Sequence, residues 1–360
     1  MFFTDLVRAL ELTVADTALL VISGVIIALF GVTVVFSAYA VVLRYRHAQR
    51  DRLWAELRNR WEKPLLDAIA DPESIPALQR LVEEKHQLYF VNYILEFSRR
   101  MRGEERAVLR TLVAPFLDEI GRRASHPNSQ VRTRAMQTLG TLGLPAYERE
   151  VLAGLEDPSP LVSFVAARYL ARAEFPQYGR AVLDSISRFD GANFRFLASM
   201  LASIGPTISP ELRARLADPD RPDWERAVIA EALMMQREPR SGDVAADVLV
   251  QTRDRELSIR LLRLLGTVGR REHLEAIRAR STTDDVFVRA QALSAMGRLG
   301  DERDLPVLIA GMDDESPWVA LHAARGIREA GGRGVLFELA QTELAYASLA
   351  GQVLYEEVEP

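Results

Sequence analysis

Seven segments of the chain carry apolar residues at positions 0, 4 and 8: Val131/Ala135/Leu139, Val162/Ala166/Leu170, Phe196/Met200/Ile204, Trp224/Val228/Ala232, Leu257/Leu261/Leu265, Val288/Ala292/Met296 and Val319/Ala323/Ile327. A four-residue step keeps side chains on one face of a helix, so each segment is predicted to be an amphipathic helix with that face buried. Their first residues follow one another at intervals of 31, 34, 28, 33, 31 and 31. A near-constant period of this size marks a stacked repeat architecture.

Each predicted helix is preceded by capping residues: Asp157-Pro158-Ser159-Pro160, Asp218-Pro219, Asp284-Asp285 and Asp314 to Pro317. Asp and Ser satisfy free N–H groups at a helix start, and Pro suits the first turn. Gly140, Gly205, Gly266 and Gly297 are expected to end helices. A second apolar-periodic stretch lies between successive segments, as in Val151, Leu152 and Leu155 or Leu305, Val307, Leu308 and Met312. The unit is therefore helix, turn, helix. Upstream, Trp54, Leu57 and Trp61 share one helix face and Tyr89, Tyr93 and Phe97 another.

The pattern Asp-x-x-x-Val-Arg-x-x-Ala-x-x-x-Leu-Gly, clearest at residues 131–143 and 288–300, resembles HEAT repeats, specifically the compact bacterial kind found in phycobilin-lyase-type proteins. The resemblance covers about residues 131–332. Arg132 and Arg289 match the repeat arginine, whereas Ser163, Glu225, Ser258 and Ala320 depart from it. It implies an all-α solenoid whose Val-Arg helices line the concave side, with repeat arginines that tie one unit to the turn aspartate of the next.

A different pattern fills the amino-terminal region. No charge occurs from Thr17 to Leu43, and Ala18–Leu43 is 26 residues long, about 39 Å of helix against a hydrocarbon core of roughly 30 Å. This is the length of a tilted transmembrane helix. A cleaved signal peptide is the rival, on the strength of Ala38-Tyr39-Ala40; the acidic leader and the length of the apolar run oppose it. Arg44, Arg46, Arg50, Arg52, Arg58 and Arg60 follow the span against Asp51 and Glu56, so the bulk of the chain is expected in the cytoplasm and the amino terminus outside. Gly24, Ala28 and Gly31 form a small-residue face where a second membrane helix can approach closely. Residues 1–16 have the apolar spacing of a surface-lying amphipathic helix.

The 360 residues contain no cysteine, which excludes disulfides, thiolate metal sites and cysteine nucleophiles. The net charge of −5 argues against a protein built to cover long nucleic acid. His47, His86, His126, His273 and His322 are scattered and none is followed by Glu; phosphate-loop and serine-hydrolase motifs are absent. Neither a catalytic residue, a metal site nor a cofactor is expected. Across positions 0 to 8 of the seven helices, eight arginines face only Glu225 and Glu231, while the rest of residues 53–360 is strongly acidic. Arg134, Arg168, Arg226, Arg260, Arg263 and Arg325 are accordingly expected to form a stripe that attracts an acidic peptide or protein surface.

The expected organisation is a short outer tail (1–16), a transmembrane helix (17–43), a basic juxtamembrane segment with irregular helical repeats (44–125), compact repeats (126–333) and a closing helical cap with an acidic tail (334–360). The expected function is that of a non-enzymatic, single-pass inner-membrane scaffold, with neither nucleic acid nor a small molecule as ligand. By resemblance it is similar to single-span HEAT proteins that accompany membrane glycosyltransferases of surface-polysaccharide synthesis. A lyase-like HEAT enzyme and a nucleic-acid-binding HEAT protein are the alternatives.

Overall fold

The computed structural model describes residues 2–98, 101, 103–142, 145–172 and 176–356; for residues 2–23, 145 and 176 it describes the backbone alone. The chain divides into two compact units, residues 1–116 and 117–360. Among the described residues every regular element is helical.

The first unit is organised by one long helix, α1 (Phe2–Ala70). From Val25 to Val42 its apolar side chains are exposed, with Phe36 at 71%. Further along, Leu57, Trp61, Leu65 and Ala68 are buried at helical spacing. The same helix thus leaves one apolar stretch bare and roots itself in a folded core. That core is completed by α2 (Ile75–Arg80), α3 (Gln87–Ser98) and α4 (Gly103–Val113). The two aromatic rows read from the sequence meet here: Trp54 stands edge-on to Tyr89 at 5.1 Å, and Trp61 lies 5.1 Å from Phe90 and 6.0 Å from Tyr93. The amphipathic reading of residues 1–16 concerns side chains outside the described residues.

The second unit begins with α5 (Asp118–Arg123), which packs on the first repeat helix. The seven anchor helices are α6 (Ser129–Leu142), α8 (Pro160–Leu170), α10 (Phe194–Ser203), α12 (Asp223–Gln236), α14 (Arg255–Val268), α16 (Val286–Leu299) and α18 (Pro317–Glu329). Linking helices alternate with them: α7 (Glu148–Ala153), α9 (Gly179–Asp184), α11 (Ser209–Ala217), α13 (Ser241–Gln251), α15 (Leu274–Arg278) and α17 (Leu305–Gly311). After α18 come α19 (Arg333–Leu339) and α20 (Ala347–Tyr355), and α20 packs on α18.

Positions 4 and 8 of every anchor frame are buried, from Ala135 and Leu139 to Ala323 and Ile327. Position 0 is more variable: Val162, Leu257, Val288 and Val319 are buried, whereas Val131, Phe196 and Trp224 are half-exposed. Of the capping stretches named from the sequence, Asp284-Asp285 supplies a side-chain cap, whereas α8, α12 and α18 start without one; Asp254 adds a cap at α14. Asp254 Oδ1 accepts the Leu257 N–H at 2.7 Å, and Asp285 Oδ1 accepts those of Phe287 and Val288.

The glycines depart from expectation. Of the four expected to end helices, only Gly205 is a turn residue, at φ +90°. Gly140, Gly266 and Gly297 lie inside anchor helices, where the missing side chain admits the neighbouring repeat. A Cβ on Gly140 would overlap the Tyr169 ring, and one on Gly297 would lie 2.3 Å from the Gly326 Cα. Close helix approach selects these residues, so Gly297→Ala should force α16 from α18 and destabilise the protein by about 1–3 kcal/mol. Gly334, in α19 with open space where a Cβ would stand, provides the control: Gly334→Ala should leave the urea midpoint unchanged or slightly raised while Gly297→Ala lowers it.

Candidate functional site

Arginine recurs on the anchor helices, and two of these residues do the same structural task. Arg132 Nε and Nη2 bind Asp157 at 2.7 and 2.8 Å, while its Nη1 donates to the carbonyls of His126 and Pro127. In the same pattern, Arg289 binds Asp314 at 2.8 and 3.0 Å and donates to the carbonyls of Thr283 and Asp284. Each aspartate also accepts the N–H two residues on, from Ser159 or Ser316. One guanidinium thereby joins the turn before its own helix to the turn before the next. The arginine holds each of these carboxyls below the usual carboxylate range.

Repeats without that arginine close their turns differently. Ser163 Oγ bonds the Leu155 carbonyl. Arg188, Arg215 and Arg280, from linking segments, donate to the carbonyls of Asp157, Leu183 and Thr252, each in the preceding repeat. A buried carbonyl left without a donor is costly, and these arginines supply one.

The expected partner stripe does not form as a continuous free surface. Arg226 is 7% exposed; its Nε donates to the Leu216 carbonyl at 3.0 Å and its Nη1 pairs with Asp223. Arg260 is held by Glu256 and Glu231 and lies over the Phe194 ring. Arg263 reaches the same Glu231 at 3.3 Å. Arg325 forms a two-point contact with Glu356, at 3.0 and 2.6 Å. Of the six, only Arg134 and Arg168 stand exposed without an ion pair to a described residue, and Arg168 rests 5.7 Å above Phe196. The correction has a simple cause. Glu231, at position 7 of its frame, lies beside positions 3 and 6 of the next, so stacking delivers two arginines to one buried carboxylate. Glu225 is likewise buried and flanked by Arg221 and Arg215; desolvation raises its pKa.

A metal-like cluster was missed by the sequence reading because its members come from different repeats. Asp243, Glu272 and His273 bring donor atoms within 4.8 Å of one another. His273 Nδ1 accepts the Arg270 backbone N–H at 3.0 Å, which places the ring proton on Nε2, and Nε2 donates to Asp243 at 2.9 Å. Neither ring nitrogen offers a spare lone pair, and the Arg270 guanidinium lies between the two carboxylates. The geometry is that of an ion-pair network.

Gly24, Ala28 and Gly31 are all exposed on α1, with open space around the two glycines. The helix is long and apolar enough to cross a membrane by length and composition.

The HEAT-repeat family model matches residues 243–328. That stretch contains the Arg289 clasp and runs from α13 into α18. Solved structures are similar to this chain at low identity and low TM-score. Human deoxyhypusine hydroxylase with glycerol is 16% identical over 68% of this chain and 97% of its own, with a TM-score of 0.32. The CpcE–CpcF complex of phycocyanin lyase from Nostoc is 16% identical over 66% of this chain and 86% of that one, at 0.31. The karyopherin Kap121p bound to the extreme C-terminus of the phosphatase Cdc14p is 13% identical over 78% of this chain and 43% of that one, at 0.40. No curated protein sequence matches.

The clasp makes a pH-dependent prediction. Because Asp314 has a depressed folded pKa, its contribution is present above the unfolded value of about 4 and is lost as pH falls through the folded one. Arg289→Ala should cost about 1–3 kcal/mol at neutral pH, whereas Arg303→Ala, at a 78% exposed side chain, should cost nothing measurable. Urea unfolding at pH 7 and pH 3 checks both: the Arg289 variant should lose less stability than the wild type on acidification.

Proposed function

We propose that the chain is a non-enzymatic, membrane-anchored scaffold whose HEAT-repeat unit holds a protein partner beside a membrane. The observation that carries this reading is the continuity of α1. One helix supplies a bare apolar stretch of spanning length and then buries Leu57, Trp61, Leu65 and Ala68 in a folded core. A span joined to a domain through unbroken helix transmits position as well as attachment, and tethering raises the local concentration of whatever the domain holds. The arginine excess after Leu43 supports a cytoplasmic location for the repeats.

The repeat surface left for a partner is narrower than a six-arginine stripe. Arg134 and Arg168, on neighbouring anchor helices with Phe196 alongside, form the basic and aromatic patch best suited to an acidic protein segment. The face of Gly24, Ala28 and Gly31 suits a membrane-protein partner. Within this proposal, a glycosyltransferase complex of surface-polysaccharide synthesis is the partner class that the resemblance implies.

Purification of the intact protein in mild detergent, with identification of co-purifying proteins, tests the scaffold reading; recovery of the chain alone counts against it. Arg134→Glu combined with Arg168→Glu should reduce capture of the partner at least about fivefold with an unchanged melting temperature, since exposed charges contribute little to stability. A reporter fused at the carboxyl end should behave as cytoplasmic, and periplasmic activity overturns the orientation.

A further inference from the structure

Along α1 the arginines divide into two groups. Arg58 and Arg60 are committed to the folded core, pairing with Glu96 at 3.2 Å and with Glu83 at 3.0 Å. Arg44, Arg46, Arg50 and Arg52, just upstream, are all exposed and have no ion pair to a described residue. Asp51 and Glu56 are the acids of this stretch, so it keeps a net positive charge.

Free cations alone name no ligand; a second, independent feature of the same helix does. From Val25 to Val42 the apolar side chains are bare, and the charge-free run ends at Leu43. A stretch of this length and composition suits hydrocarbon, which fixes where along the helix a headgroup layer lies. Tyr39 and Tyr45, 59% and 65% exposed, flank that boundary, where amphipathic rings settle between apolar chains and water. Arg44 and Arg46 stand about 1.5 and 4.5 Å beyond Leu43 by helical rise, inside a headgroup layer roughly 5–7 Å deep. Arg50 and Arg52 follow at about 10.5 and 13.5 Å, within about one Debye length, roughly 8 Å, of that layer's outer edge. Helical spacing puts Arg46 and Arg50 on one face and Arg44 and Arg52 on others, so lipid on more than one side meets a guanidinium. The helix runs unbroken into the core at Leu57 and Trp61, which holds all four at a fixed depth.

We propose that Arg44, Arg46, Arg50 and Arg52 form a binding collar for anionic phospholipid, selecting headgroups of net negative charge over zwitterionic ones. The guanidinium fork donates two N–H groups to the oxygens of a phosphodiester. A zwitterionic lipid offers the same phosphate together with an ammonium that opposes the approach. The inference rests on the membrane-anchored reading and goes beyond it, since anchoring requires insertion but no preference among lipids.

The test reconstitutes the full chain in phosphatidylcholine bilayers with a trace of spin-labelled phosphatidylglycerol or of spin-labelled phosphatidylcholine. Electron paramagnetic resonance reads the share of each label that the protein immobilises. Both labels should show an immobilised component, with phosphatidylglycerol preferred about fivefold. Replacing Arg44, Arg46, Arg50 and Arg52 together by Gln should bring the preference close to parity, whereas Arg58→Gln with Arg60→Gln should keep it. The quadruple variant should retain the immobilised phosphatidylcholine component, which shows that it still inserts. Inorganic phosphate added at constant ionic strength should leave the preference unchanged; its loss identifies a free anion as the ligand and overturns the proposal. Equal immobilisation of the two labels, a preference surviving in the quadruple variant, or an equal loss in the Arg58 and Arg60 variant also overturns it and leaves the anchor in place. No immobilised component from either label removes the anchor reading and this inference together.

Discussion

A two-helix repeat has too little interior to bury its own apolar stripe, so each anchor helix must find cover on the repeats before and after it. The requirement sets how close neighbouring helices come, and hence which residues the contact tolerates. Ala166, Ala292 and Ala323 are fully buried at position 4, and Gly297 meets Gly326 backbone to backbone. Leu170 and Leu265 at position 8 and Ile277 and Leu308 on the linking helices fill the space between pairs. Small residues at the contact and large ones beside it give interdigitated packing at interior density.

Close stacking creates a second demand. Turns between repeats carry carbonyl and carboxylate groups into partly buried positions, where each requires a donor. Arginine meets it because its planar fork can bind a carboxylate by two bonds and still donate elsewhere. The residues supplying that fork vary, from anchor positions in Arg132 and Arg289 to linking segments in Arg215 and Arg280. Donation to turn carbonyls is retained while the sequence position moves; the two-point contact with a turn carboxylate belongs to Arg132 and Arg289. A chain with almost no lysine is well equipped for this, since a point ammonium cannot reproduce the two-point contact.

These two demands explain what was legible in the sequence. Period and burial phase were plain, because a four-residue apolar step survives in every unit and turn aspartates precede the helices. Helix ends were less so: Gly266 reads as a terminator, yet it sits inside α14 near the Ala295 backbone. Its role depends on a residue one repeat away, which no local pattern encodes. The arginine stripe failed for the same reason. Counting along a helix finds Arg260 and Arg263 with an excess of positive charge, but Glu231 from the preceding unit lies between them. The offsets 3, 6 and 7 contain that information once they are compared between repeats.

The distribution of satisfied and unsatisfied groups separates the two units physically. In the repeats, partly buried arginines are spent on internal carboxylates and carbonyls, so most of the positive charge stabilises the stack and little remains to recruit a ligand. In the first unit, Trp61 Nε1, Tyr93 OH and Ser98 Oγ are buried without hydrogen bonds. Unmet polar groups cost stability wherever they are buried. Such groups occur in the repeats too, at Glu150 Oε2 and Glu225 Oε2; the separation therefore lies in the satisfied ones, since the repeat arginines are already engaged in keeping the stack in register.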